Sequence, residues 1–223
     1  MKVGKLGIFY LLSLLVTQSL LGALNLPKRR GVLAQAQYLL EHWDLSYVYG
    51  GGKLGDPRVC DRCNDCLAKE RPEKSQRISR CPVCQECSLD CSHFTFEVFR
   101  KAGLEATYLT TAMMRELAPD ALRRSYHLVD IGARSQRALP GDLLVYPGHV
   151  VLLERRLADG RGDVIHVTSG RDLQGPGMGL QRERHVDIDS FRGPLQRILR
   201  HDALADELQA LTWQGNRSEI RER

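Results

Sequence analysis

The 223-residue sequence is poor in aromatic residues, at 6%, and its charge is nearly balanced, with 32 Lys and Arg against 27 Asp and Glu. It has no basic stretch interleaved with aromatic side chains, which is the pattern typical of nucleic-acid-binding proteins. Beyond the N-terminal segment it has no apolar run long enough to cross a membrane. The hydrophobic fraction of 43% and the charged fraction of 26% exclude a disordered chain. The composition therefore predicts one globular domain with a full-sized core.

The N-terminus has the form of a secretory signal peptide. Lys2 and Lys5 precede an apolar run at 6–21, and we expect cleavage after Ala23. An uncleaved membrane anchor, with the basic residues 28–30 at the membrane surface, is the alternative. No cysteine lies near residue 23, so a lipid anchor on an N-terminal cysteine is excluded. The net charge of +5 includes the two lysines, so the mature chain would carry +3. A weakly basic, exported protein located in the periplasm or cell envelope is predicted.

The spacing of apolar residues predicts an α+β fold, with helices first and an antiparallel meander of short strands afterwards. The predicted helices cover 31–43, 92–102, 109–125 and 202–213, and the predicted strands cover 143–146, 150–154 and 163–167. We divide the chain into a signal peptide at 1–23, one domain at 24–201, and a C-terminal helix with a flexible tail at 202–223.

All seven cysteines lie between Cys60 and Cys91, and six of them belong to a segment at 53–89 that is poor in aliphatic residues. These six form two C-x2-C-x2-C triplets, which are Cys60, Cys63, Cys66 and Cys81, Cys84, Cys87. Two such turns 14 residues apart can hold a structural zinc ion with four thiolates. Export favours three disulfides instead, and an iron–sulfur cluster is a third alternative. Any of these would give the core-poor segment its fold.

The seventh cysteine, Cys91, lies at the N-terminus of the helix predicted at 92–102. Backbone N–H groups and the helix dipole there favour a thiolate and lower the pKa of a cysteine from about 8.5. His149 opens a predicted strand, and His166 lies in the next one, so a hairpin can bring the two side by side. A thiolate, an imidazole and a residue that orients the imidazole form a cysteine-peptidase triad. In the alternative interpretation, Cys91 is a seventh metal-binding or disulfide cysteine, His149 is a solvated turn histidine, and His166 is a core histidine.

Five short motifs occur in a characteristic order along residues 32–200. They are Tyr47-Val-Tyr-Gly-Gly51, Asp90-Cys91-Ser92, Leu139-Pro-Gly-Asp-Leu143, His149-Val-Val-Leu-Leu153 and Val164-Ile-His166. In this order they resemble the NlpC-type cell-wall cysteine peptidases.

The resemblance implies a papain-like fold, in which the nucleophile heads a helix packed on an antiparallel sheet. It also implies hydrolysis of peptidoglycan stem peptides, commonly at the D-γ-glutamyl bond to a diamino acid, with no cofactor for catalysis. By position, Cys91 corresponds to the nucleophile, His149 to the general base, and His166 to the residue that orients the base. The positions that would contact the substrate are Tyr47, Asp90 and Ser92.

The sequence departs from the family in four places, one of which is an unusually short loop between Val145 and His149. His93 stands where the family usually has glycine, and the Arg- and Ser-containing motif expected near 106–116 is not recognisable. The segment 53–89 is an insertion, which we expect to form a cap or wall of the substrate groove. Three other functions remain open. The same triad could act on another amide or ester. The chain could instead be a metal- or redox-handling exported protein that uses the six cysteines on an inactive peptidase-like scaffold, or a non-catalytic wall-binding module.

Overall fold

The computed structural model describes residues 26–169 and 179–209, so the predicted signal peptide and the end of the tail lie outside the described residues. The helices are α1 (Pro27–His42), α2 (Pro57–Glu70), α3 (Arg77–Arg80), α4 (Cys91–Lys101), α5 (Thr111–Glu116), α6 (Pro119–Tyr126) and α7 (202–209). The strands are β1 (Gly52–Lys53), β2 (Ser88–Leu89), β3 (Leu128–Gly132), β4 (Leu143–Tyr146), β5 (His149–Arg156), β6 (Arg161–Thr168), β7 (Gly179–Asp187) and β8 (Arg197–His201). None of these helices is long and apolar enough to cross a membrane.

The predicted α+β class is confirmed. Six strands form one antiparallel sheet in the order β3-β8-β4-β5-β6-β7, and β1 pairs with β2 in a separate two-stranded sheet. The predicted strands correspond to β4, β5 and β6. β4 and β5 are joined by the two-residue turn Pro147-Gly148, in which Gly148 has a φ of +68° that favours glycine.

Three strands of the sheet were not predicted. β7 is rich in charged and polar residues because it lies at the edge of the sheet, where only one side pairs with a neighbour. β8 inserts between β3 and β4, so the sheet is not a simple meander. The long connections that bring β8 and β3 beside β4 carry no local sequence signal.

The single helix predicted at 109–125 is wrong, because the chain forms two short helices there. Leu117 and Ala118 are extended between α5 and α6, and Pro119 begins α6. Proline disfavours the helical conformation at the residue before it and is well suited to the first turn of a new helix.

The main core lies between one face of the sheet and helices α1 and α4. Val32, Ala36 and Leu39 follow one face of α1 and are fully buried, as the helical spacing predicts. Leu204 of α7 belongs to the same core. The opposite face of the sheet is covered by a second apolar cluster that includes Tyr146. The strands β4, β5 and β6, which lie at the centre of the sheet, are therefore held from both sides.

The segment 53–89 is a helical hairpin whose six cysteines are paired as three disulfides. The pairs are Cys60–Cys87, Cys63–Cys84 and Cys66–Cys81. Cysteines three residues apart lie close to one face of α2, and in the second triplet Cys84 lies in a 3₁₀ turn at Pro82–Gln85, with Cys81 before it and Cys87 after it. The two triplets face each other, and their disulfides are nested as a ladder.

The ladder supplies the small core that the segment otherwise lacks. Val48 packs against Cys63, Cys81 and Cys84, and all four are buried. A sulfur in a disulfide offers no thiolate to a metal, so the zinc alternative would require the reduced chain.

Candidate active site

Asp90 fixes the start of α4. Its carboxylate accepts a hydrogen bond from the backbone N–H of His93 at 2.8 Å and another from Ser92 Oγ at 2.8 Å. Burial acts to raise the pKa of this carboxyl, but the hydrogen bonds from His93 and Ser92 outweigh it and lower the pKa. The ionised side chain caps the helix at the residue just before Cys91.

Cys91 is the free cysteine, and it lies between the first turn of α4 and the start of β5. Its Sγ is 3.6 Å from Thr111 Oγ1, and the backbone N–H groups of Val150 and Ser92 also stabilise its thiolate. Only 8% of the residue is exposed, and burial raises the pKa of the thiol more than these contacts lower it. The predicted lowering is therefore wrong for the resting protein, because the sequence does not reveal the burial.

His149 and His166 lie side by side on β5 and β6, as the hairpin predicts. His149 Nε2 is 2.7 Å from His166 Nδ1, and the ring planes are inclined at 75°. His149 begins β5 and immediately precedes Val150, which contacts the Cys91 sulfur. The structure thus brings Cys91, His149 and His166 into one corner of the domain.

His166 is fully buried. Burial lowers the pKa of its imidazole more strongly than the neighbouring carboxylate of Glu183 raises it, so the ring is neutral near pH 7. Its Nε2 lies 3.0 Å from Glu183 Oε1. That carboxylate also accepts hydrogen bonds from Gln181 and Arg192.

Glu183 was missed by the sequence analysis because its strand was not predicted. The only local signal is that Gln181 and Glu183 alternate with Arg182 and Arg184, which places the first two on one side of a strand. That pattern becomes informative only when β7 is known to pair with β6.

Tyr47 lies beside Cys91 and Asp90 and is buried. Burial raises the pKa of its hydroxyl, and the negative charges of Cys91 and Asp90 add to this effect. The phenol therefore keeps its proton at neutral pH and can donate a hydrogen bond.

The segment 106–116, where the family motif is not recognisable, still contributes to this corner of the domain. Tyr108 OH lies 3.2 Å from Ser92 Oγ, and its ring stacks on that of His93 at a centroid distance of 3.8 Å. Thr111 contacts the sulfur of Cys91. Tyr108 and Thr111 were not identified from the sequence, since neither lies in a recognisable motif.

The insertion is directly connected to these residues. Strand β2 leads into Asp90, and Arg77 of α3 donates a hydrogen bond to the backbone carbonyl of Tyr47. Gly52 of β1 packs so closely against the His93 ring that a Cβ there would clash with it. The insertion thus contacts Tyr47 and leads directly into the residue before the candidate nucleophile.

The described residues contain no group of three or more His, Cys, Asp or Glu side chains arranged to hold a metal ion. The functional groups that the site brings together are a thiol, two imidazoles, a phenol and the N–H groups at the start of α4.

Comparison with known proteins does not assign the chain to a family. No protein-family model matches it, and no curated protein matches it. Among solved structures, the peptidoglycan hydrolase RipB from Mycobacterium tuberculosis is similar, with a TM-score of 0.40 and 14% sequence identity over 83% of each chain. A likeness this low does not assign an activity, so a functional conclusion depends on the residues of the site.

Proposed function

We propose that this protein is an exported cysteine peptidase with a papain-like fold that hydrolyses the peptide stems of bacterial peptidoglycan. The observation that supports the chemistry is the placement of Cys91 at the start of α4, against the strand that begins with the hydrogen-bonded His149. The substrate class is inferred from the resemblance of the five motifs to NlpC-type enzymes. The bond we propose is the D-γ-glutamyl bond to a diamino acid.

In the proposed mechanism, His149 takes the proton of the Cys91 thiol, and the thiolate attacks the carbonyl carbon of the scissile amide. The oxyanion that forms would be stabilised by the N–H groups at the start of α4 and by the hydroxyl of Tyr47. The imidazolium of His149 then protonates the leaving amine, and water hydrolyses the acyl-enzyme by the reverse sequence.

The substrate would contact Tyr47, Asp90 and Ser92, the positions that the resemblance to the NlpC-type enzymes implies. Because the insertion is attached to Tyr47 through Arg77 and to Asp90 through β2, we propose that it forms one wall of the substrate groove. The partner of the protein is then the peptidoglycan stem itself. If the N-terminal segment is not cleaved, it would also tether the enzyme to the membrane.

The test is incubation of the mature protein and its Cys91→Ala variant with purified muropeptides, followed by mass spectrometry. We expect wild type to release stem fragments and the variant to release none. Equal cleavage by both proteins would refute a cysteine mechanism. If both leave every stem intact, the proposed function is wrong.

A metal- or redox-handling function is not favoured by the cysteine ladder. Five of its six cysteines are 0–1% exposed, whereas exchange with another thiol needs an accessible sulfur. We expect alkylation of the unfolded, unreduced protein to modify one cysteine, and alkylation after reduction to modify all seven. Stoichiometric zinc in the purified protein would contradict this assignment.

A further inference from the structure

Behind the histidine pair lies a carboxylate that the catalytic motifs do not include. Glu183 Oε1 lies 3.0 Å from His166 Nε2, on the side of the ring opposite His149. We propose that Glu183 is a positioning residue that fixes the tautomers of His166 and His149, so that His149 presents a basic nitrogen to Cys91. This inference rests on the proposed function, because it assigns a role within the same proton-transfer chain.

Three donors converge on the Glu183 carboxylate and hold it in place. Gln181 Nε2 donates to Oε1 at 3.0 Å and Arg192 Nη2 at 2.8 Å, in addition to His166. Arg192 is itself fixed over the ring of Phe191, with 4.9 Å from the guanidinium carbon to the ring centroid. An ionised carboxylate only accepts hydrogen bonds, so the proton between the two side chains belongs to His166 Nε2.

The tautomer of His149 follows from that of His166. A neutral imidazole with its proton on Nε2 has a lone pair on Nδ1, and this atom lies 2.7 Å from His149 Nε2. His149 Nε2 must therefore donate, which leaves the lone pair of His149 on Nδ1. Without Glu183, His166 could carry its proton on Nδ1 instead of Nε2. His149 Nε2 would then accept the hydrogen bond, and the proton of His149 would lie on Nδ1, the nitrogen that must act as the base.

The charge of Glu183 acts in the same direction. When His149 accepts the Cys91 proton it becomes an imidazolium, and a carboxylate at the far end of the chain stabilises that cation. Arg192 offsets part of this effect, and Asp90, which caps α4, adds to the negative charge near Cys91. The hydrogen bond from His166, supported by Arg192, lowers the pKa of Glu183 to about 2 despite partial burial, so the carboxylate is ionised at every working pH.

The test is the pH dependence of Cys91 alkylation by iodoacetamide, measured without any substrate. Cys91 is the free cysteine, so the unreduced protein reports on this residue alone. We expect Glu183→Gln to slow alkylation at neutral pH by ~10-fold and to move the half-maximal rate about one pH unit upward, because thiolate formation depends on a stable His149 imidazolium. Glu183→Ala, which removes the acceptor altogether, should have a larger effect.

Glu154→Gln is the matched control. Glu154 pairs with Arg182 at 2.6 Å on the same sheet but does not contact either histidine. Its alkylation profile should follow that of wild type. The proposal is overturned if the profile of Glu183→Gln superimposes on that of wild type, or if Glu154→Gln shifts the profile equally.

Turnover of muropeptides gives the second measurement. Glu183→Gln should lower kcat by ~10- to 100-fold with little change in KM, as is usual for partners that orient a functional histidine. If no stem is cleaved by wild type but the alkylation shift is observed, the positioning role stands and the proposed substrate is wrong. If stems are cleaved and neither kcat nor the alkylation profile responds to Glu183→Gln, the positioning role is wrong.

Discussion

The burial of Cys91 has a direct consequence for the protonation of its thiol. A thiolate there has lost most of its hydration, and the contacts with Thr111 and Val150 do not fully compensate for this loss. In the proposed mechanism the thiolate is stabilised by the imidazolium of His149, the residue that begins β5. Cys91 and His149 would then be activated together, because the proton that leaves the thiol creates the charge that stabilises the thiolate.

Tyr47→Phe should lower kcat on muropeptides by about 100-fold, because it removes one donor to the proposed oxyanion while preserving the buried ring. Steady-state kinetics and the thermal midpoint should be measured together, with Tyr38→Phe as the control, since Tyr38 is exposed on α1. Equal kcat values for Tyr47→Phe and wild type would exclude the oxyanion role.

Asp142 of the Pro-Gly-Asp-Leu motif has a structural role. Its carboxylate accepts two hydrogen bonds from Arg200, each of 2.8 Å, and lies 3.6 Å from the buried Arg29. Asp142→Ala would leave two buried guanidinium groups without their carboxylate, and we expect a loss of about 3–5 kcal/mol in the free energy of unfolding by urea.

Asp159→Ala is the control for this measurement, because it removes a similar pair with Arg161 that is exposed to solvent. It should leave the unfolding curve almost unchanged. A similar small effect for Asp142→Ala would contradict the structural role of the buried cluster.

At the scale of elements, the disulfide hairpin replaces apolar burial with covalent links. Each link closes a loop of 15 to 27 residues, a size for which one disulfide contributes about 3 kcal/mol, although nested links are not additive. The hairpin is thus rigid enough to hold Tyr47 through Arg77. Its rigidity matters for the site because β2 and the nucleophile are adjacent in the chain.

The wall function of the insertion can be tested by deleting residues 57–87. Because Lys53 pairs with Ser88, the deletion leaves Leu54, Gly55 and Asp56 as a three-residue loop between β1 and β2, a length that β-hairpins accept. We expect the shortened enzyme to lose stability, since Val48 becomes exposed, and to change its relative kcat/KM among different stem peptides by ~10-fold.

Cys91 alkylation serves as the control for an intact site in the deletion variant. If the rate of alkylation is preserved and the same stems are cut with equal efficiency, the insertion does not contact the substrate.

At the scale of the whole molecule, stability should depend on two buried histidines. Burial lowers the pKa of both His166 and His201 in the folded protein. Below pH about 6.5 the unfolded chain binds protons that the folded chain does not, so the unfolding free energy should fall as the pH drops from 7 to 5. Carboxyl groups with lowered pKa, such as Glu183, add to this loss only below pH about 4.5.

Urea unfolding across this pH range is the measurement. His201→Gln can keep the hydrogen bond to the Glu105 carbonyl but does not titrate. In this variant the unfolding free energy should fall less steeply between pH 7 and 5. A stability that is constant or rises between pH 7 and 5 would contradict the prediction.

Local sequence patterns predicted much of the site. The helix beside Cys91 follows from the apolar spacing at 92–102, although the cap by Asp90 and the start at Cys91 came only from the structure. The adjacency of His149 and His166 follows from a short hairpin. The sequence also separates Cys91 from the other six cysteines, because those six form two triplets of equal spacing and Cys91 lies outside both. These features depend on residues close together in the chain, where propensity and periodicity act.

The tertiary structure decided the features that depend on distant residues. The pairing of six cysteines as three nested disulfides, the placement of Glu183 behind His166, and the burial that raises the pKa of Cys91 all require the final arrangement of strands and helices. Solvation and hydrogen bonding are set by whatever surrounds a side chain in space. The sequence by itself therefore determined which residues carry the proposed chemistry, and the fold decided their protonation and their partners.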